Sequence, residues 1–123
     1  MLNPDYARGL SVNDFEGRRT WIDEKVARFH LFGDCDDDTS SAAFARLSPQ
    51  ATYPYRLPCS LSALPVVDST YVLCSDDRIV NPDWARNAAR ARLNADLLEL
   101  PGSHSPFLSR PKALAELLIG LVV

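Results

Sequence analysis

The strongest constraint on this fold is the stretch spanning residues 71–111. It opens on Tyr-Val-Leu-Cys-Ser-Asp-Asp, passes through Asn-Pro-Asp-Trp-Ala, and closes on Asp-Leu-Leu-Glu-Leu-Pro-Gly-Ser-His-Ser-Pro. An apolar run ends in the acidic pair Asp76-Asp77, and a second apolar run ends in a short loop carrying His104. The segment between them has helical character, so the whole reads as strand, helix, strand. Two strands joined by a helical crossover run parallel, and both then leave the sheet at its carboxyl edge. Open α/β sheets place their sites along that edge. An Asp and a His delivered there are two members of a Ser-His-Asp apparatus.

The local chemistry supports each element. Residues 71–74 are nearly continuous in apolar side chains, as a parallel strand covered on both faces requires. Asn81 caps the following helix, Pro82 fits its first turn, and Asp83 complements the helix dipole. Ala85, Ala88, Ala89 and Leu93 make its inward face, and Arg86, Arg90 and Arg92 leave the other side basic. No aromatic or basic companion set surrounds these arginines, so they read as a solvated face and not a nucleic-acid surface. Residues 97–100 form the second strand. Pro101, Gly102 and Ser103 break it, and Arg110-Pro111 opens a last helix with Leu114, Leu117, Leu118 and Leu121 on its packing face.

This ordered set resembles the carboxyl-terminal part of the α/β-hydrolase family, in its methylesterase and hydroxynitrile lyase branch. The matching positions are Tyr71, Val72, Cys74, Asp77, Gly102, His104 and Pro106. The resemblance is good over residues 66–123 and fainter over 8–65. It implies an α/β fold of parallel strands with flanking helices, preceded by a cap of hairpin and helices. It also implies Asp77 as the triad acid and His104 as the base. Asp77 is preferred to Asp76 because it lies six positions beyond Tyr71, as the family pattern requires. The family's nucleophile sits on a Gly-x-Ser-x-Gly elbow ahead of the cap. This sequence holds no such elbow, and Gly102-Ser103-His104 has the wrong chain order to replace it. The expectation is therefore the second half of a hydrolase, with an uncovered sheet that favours self-association.

Ahead of that core, residues 10–14 alternate as a half-buried strand does, Gly17 suits a turn, and residues 20–22 can pair back. Residues 23–32 read as a helix capped by Asp23, with Val26, Phe29 and Phe32 on one face and His30 partly exposed. Asp34, Asp36 and Asp38 imitate the opening of a calcium loop. The imitation fails at Thr39, where glycine is needed, and at Ala45, where glutamate is needed. Capping of a helix over residues 39–47 by Asp36, Asp37 or Asp38 is the better reading. Three prolines at 49, 54 and 58 make a connector, with one helical turn expected over 61–64. The chain thus divides into a cap-like segment, 1–57, and a core segment, 58–123.

At 123 residues the chain can bury a core, and a net charge of −3 gives no reason to expect nucleic acid or an anionic membrane. The three cysteines, Cys35, Cys59 and Cys74, are odd in number and fit a reducing, cytoplasmic compartment, with Cys74 buried in its strand. Nothing in the sequence implies a cofactor or a metal. Two functions follow. One is esterase-type hydrolysis of a small carboxylic ester or amide by a Ser-His-Asp mechanism whose serine lies outside the chain. The other is a non-catalytic binding module on the same scaffold.

Overall fold

The computed structural model describes residues 1–122. Its organising unit is the parallel pair β3 (Thr70–Cys74) and β4 (Asp96–Leu100), in register from Thr70 opposite Asp96 to Cys74 opposite Leu100. The crossover is α3 (Pro82–Leu93). The Asn81 side chain accepts the Trp84 N–H at 2.9 Å, and Asn94 ends the helix in the left-handed region at φ 49°. Ala85 and Ala89 are buried, as is Leu73 on β3. Their small side chains bring α3 close to the strands, which carries the chain back in parallel. Leu93 is exposed instead of packed inward, and Cys74 is half-buried instead of buried. Arg86 is held in ion pairs with Asp83 and Glu99, which pins the solvent side of α3 to β4.

Beyond β4 come α4 (Pro106–Ser109), a short helix the sequence reading lacked, and α5 (Pro111–Ile119). The expected packing face of α5 is only partly covered: Leu118 is 47% and Leu121 45% exposed. The β3–β4 sheet has two strands among the described residues, so it offers α5 little surface to pack on.

The amino-terminal region builds a separate antiparallel pair, β1 (Arg18–Arg19) with β2 (Gln50–Ala51). The expected pairing of residues 10–14 with 20–22 shrinks to a Leu10–Trp21 bridge, made by the Ser11 N–H on the Thr20 carbonyl at 2.8 Å and the Ile22 N–H on the Gly9 carbonyl at 3.0 Å. At the turn, Asp14 Oδ1 accepts the N–H groups of Glu16 and Arg18. A side chain thus takes ladder donors there, an Asx-type competition that alternation alone does not register. Gly17 holds the turn at φ 72° as expected.

Two helices follow. Asp23 caps α1 (Glu24–Leu31) by accepting the Val26 N–H, and Asp36 caps α2 (Asp37–Phe44) by accepting the Thr39 N–H. The second helix starts and stops earlier than residues 39–47. The buried stripe of α1 differs as well. Ala27 and His30 face inward, while Phe29 is 52% exposed beneath the Arg78 guanidinium, 4.1 Å from its ring. His30 is therefore buried, not partly exposed. It stacks on Trp21 at 5.6 Å, and its Nδ1 lies 3.4 Å from the Arg78 carbonyl. Residues 61–64 form no helical turn, and the connector from 57 to 68 is exposed throughout. The first residues dock on the core: Asn3 donates to the Ile79 carbonyl at 2.8 Å and Asn81 to the Met1 carbonyl at 3.0 Å.

Candidate active site

The carboxyl ends of β3 and β4 deliver Asp77 and His104 to one another. His104 Nδ1 lies 2.9 Å from Asp77 Oδ2. The other carboxylate oxygen, Oδ1, accepts the N–H groups of Ile79 at 2.7 Å and Val80 at 3.0 Å. These two bonds close an Asx turn directly after the strand, which fixes the carboxylate through contacts independent of the imidazole. The sequence produces this geometry because Asp77 follows β3 closely while Ile79 is anchored in the core.

Burial by itself would raise the Asp77 pKa. The bonds from His104, Ile79 and Val80 outweigh it and hold the carboxyl below its usual value of 3.8. A carboxylate only accepts, so His104 Nδ1 is the donor in this pair, and the tautomer with its one ring proton on Nδ1 presents a bare Nε2. Nε2 has no hydrogen-bond partner among the described residues. A cavity of about 270 Å³ opens beside the pair, with Tyr71, Cys74, Val80 and Phe107 in its wall. Its wall is mostly apolar, with the Asp77–His104 pair as its polar element.

The neighbouring acids hold the loop and not the ring. Asp76 Oδ2 accepts the Gly102 N–H at 3.3 Å, and the Gly102 carbonyl accepts the Asp76 N–H at 3.0 Å. In sequence Asp34 groups with Asp36 and Asp38 in the calcium-like run. It instead reaches across from the α1–α2 loop to accept the Ser103 hydroxyl and, at 3.1 Å, Arg110 Nε. No sequence signal marks this role, because the partners lie 69 and 76 positions apart. Ser103 is buried with its hydroxyl committed to Asp34, and Ser105 is buried too. His30 sits against a backbone carbonyl and two aromatic rings, with no acid among the described residues bonded to it.

Residues 2–117 match the profile of the alpha/beta hydrolase family. The chain belongs to that family. No curated protein sequence matches it. Among solved structures, it is similar to polyneuridine aldehyde esterase, with a TM-score of 0.64 and 13% identity over 98% of this chain and 51% of that one. A mutant of the same esterase, with a histidine replaced by alanine, gives a TM-score of 0.69 and 13% identity over 85% of this chain and 42% of that one. The chain thus spans about half the length of the structures it matches. At this identity the likeness is one of fold: parallel strands with flanking helices in the alpha/beta hydrolase arrangement. No helix among the described residues is long and apolar enough to cross a membrane.

Proposed function

We propose that this chain supplies the acid and base of an esterase-type site, acting on a small carboxylic ester or amide. The observation that carries the reading is the Asp77–His104 bond at the edge of the parallel strands, beside an apolar cavity. Asp77 orients the ring and stabilises the imidazolium. His104 Nε2 takes the proton of a serine hydroxyl as the serine oxygen bonds to the substrate carbonyl carbon. It returns that proton to the leaving oxygen or nitrogen as the acyl bond breaks, and water then repeats the cycle on the acyl-enzyme. The serine comes from a Gly-x-Ser-x-Gly elbow on an amino-terminal half outside these residues. Residues 1–57 act as the cap over the site and residues 58–123 as the core. A cytoplasmic setting fits the three unpaired thiols.

The test is complementation. The chain alone should hydrolyse a chromogenic short-chain ester no faster than its His104→Ala variant. Loss of a serine nucleophile costs roughly 10⁶ in kcat where it has been isolated. Adding an amino-terminal half with an intact elbow should restore turnover, and His104→Ala or Asp77→Ala should then abolish it. Serine labelling by an organophosphonate on the chain alone would overturn the assignment of the nucleophile. A second reading, a binding module without chemistry, draws on the absence of a serine hydroxyl bonded to His104 among the described residues. Complementation that restores solubility without turnover would select it.

A further inference from the structure

We propose that Asp34 is a positioning residue for His104, a latch through which the amino-terminal segment holds the imidazole on Asp77. The inference rests on the reading of Asp77 and His104 as acid and base. Asp34 is the only acid among the described residues that bonds both sides of the His104 loop: Ser103, immediately before the histidine, and Arg110, at the α4–α5 junction. Its two oxygens are divided between them, Oδ1 to the Ser103 hydroxyl and Oδ2 to Arg110 Nε.

The approach is close enough to dictate sequence. Gly102 lies at φ +126°, and a Cβ there would fall 2.5 Å from Asp34 Oδ2 and 2.7 Å from Arg110 Nε. Only glycine gives this contact room. Asp76 grips the same glycine through its backbone. The histidine loop is therefore held from the core by Asp76 and from the amino-terminal segment by Asp34. Burial raises the Asp34 pKa, and the bonds from Ser103 and Arg110 lower it further than burial lifts it, so the latch carries a carboxylate. Hydrogen bonds to a charged group are worth more than neutral ones, and Arg110 supplies the compensating charge. Because Asp34 sits between α1 and α2, displacement of those helices withdraws both bonds at once. The loop then keeps only its Asp76 tether, and the ring loses the restraint that aims Nδ1 at Asp77.

The full 123-residue chain contains two histidines, His30 and His104, so ¹⁵N-correlated spectra of the ring nitrogens resolve each after one substitution. In the unaltered chain the His104 proton should reside on Nδ1. In Asp34→Asn and Ser103→Ala, exchange of that proton and of the Asp76 amide should quicken by about tenfold, as expected for one lost charge-assisted bond. Amides within β3 and β4 should keep their rates. Asp34→Glu should recover part of the protection. Ser103→Ala leaves the Arg110 pair intact, so it reports even where Asp34→Asn unfolds the chain. Absence of an Nδ1 proton on His104 in the unaltered chain overturns the acid–base reading itself. Its presence, with loop and ring exchange unchanged in Ser103→Ala, overturns the latch alone. Acceleration spread equally over β3 and β4 also overturns it, as a general loss of stability.

Discussion

Asp77→Asn should move the proton on His104 from Nδ1 to Nε2. Asparagine is nearly isosteric with aspartate but offers one acceptor oxygen and one NH₂ group. The Ile79 and Val80 N–H groups both point at Oδ1, and Ile79 is buried, so the amide oxygen must take that position. The NH₂ group then occupies the place of Oδ2, facing His104 Nδ1 across 2.9 Å. Two donors cannot share that contact, so the ring changes tautomer and Nδ1 accepts. The proton on Nε2 blocks it as a base, the fault that separates an amide from a carboxylate in a triad. Bonds to a carboxylate are worth about 1.5–3 kcal/mol and neutral ones about 1 kcal/mol, so the Asn variant should lose about 1–2 kcal/mol of stability. Asp77→Ala removes all three acceptor contacts and leaves the Ile79 and Val80 donors unpaired, at about 3–5 kcal/mol in total. Urea unfolding with equal slopes measures both losses, and long-range ¹H–¹⁵N correlation reads the tautomer. Equal losses in the two variants, or a ring that stays protonated at Nδ1 opposite Asn, would show that the Asx turn does not fix the carboxylate as argued.

Stability should fall on acidification more steeply than in the Asp77→Asn variant. Asp77 and Asp34 both have folded-state pKa values held below the ordinary 3.8, so each contributes fully above that value and loses its contribution as pH falls through the folded pKa. Thermal melts between pH 7 and about pH 2 check this, and identical profiles would refute it. Gly102→Ala should cost about 2 kcal/mol or more, from the strained φ and the clash with Asp34 and Arg110 together. An unchanged melting temperature would mean that the loop relaxes freely and that the close approach constrains nothing.

The carboxyl-terminal architecture was legible because its signals are local. Continuous apolar runs, an Asn-Pro-Asp helix start and a Pro-Gly break each act within a few residues, and chain connectivity then forces Asp77 and His104 to the same edge. The amino-terminal region was less legible because its decisive bonds join residues far apart. The strand partner of Arg18–Arg19 is Gln50–Ala51, across two helices, and alternation over residues 10–14 pointed to a nearer partner. The burial of His30 escapes the helical period for a related reason. The helical period marked Phe29 as inward, but an arginine from the loop after β3 covers that ring, and α1 turns His30 toward Trp21 instead. Asp34 shows the same limit at the site. In sequence it belongs to the calcium-like run with Asp36 and Asp38, yet Asp36 spends its side chain on its own helix and Asp34 spends its side chain on the histidine loop. Local pattern identifies the Asp77–His104 pair because topology brings its two members together. It misses the contacts of Asp34 with Ser103 and Arg110, because a long-range bond of this kind requires no periodicity, only a carboxylate with no nearer donor to satisfy it.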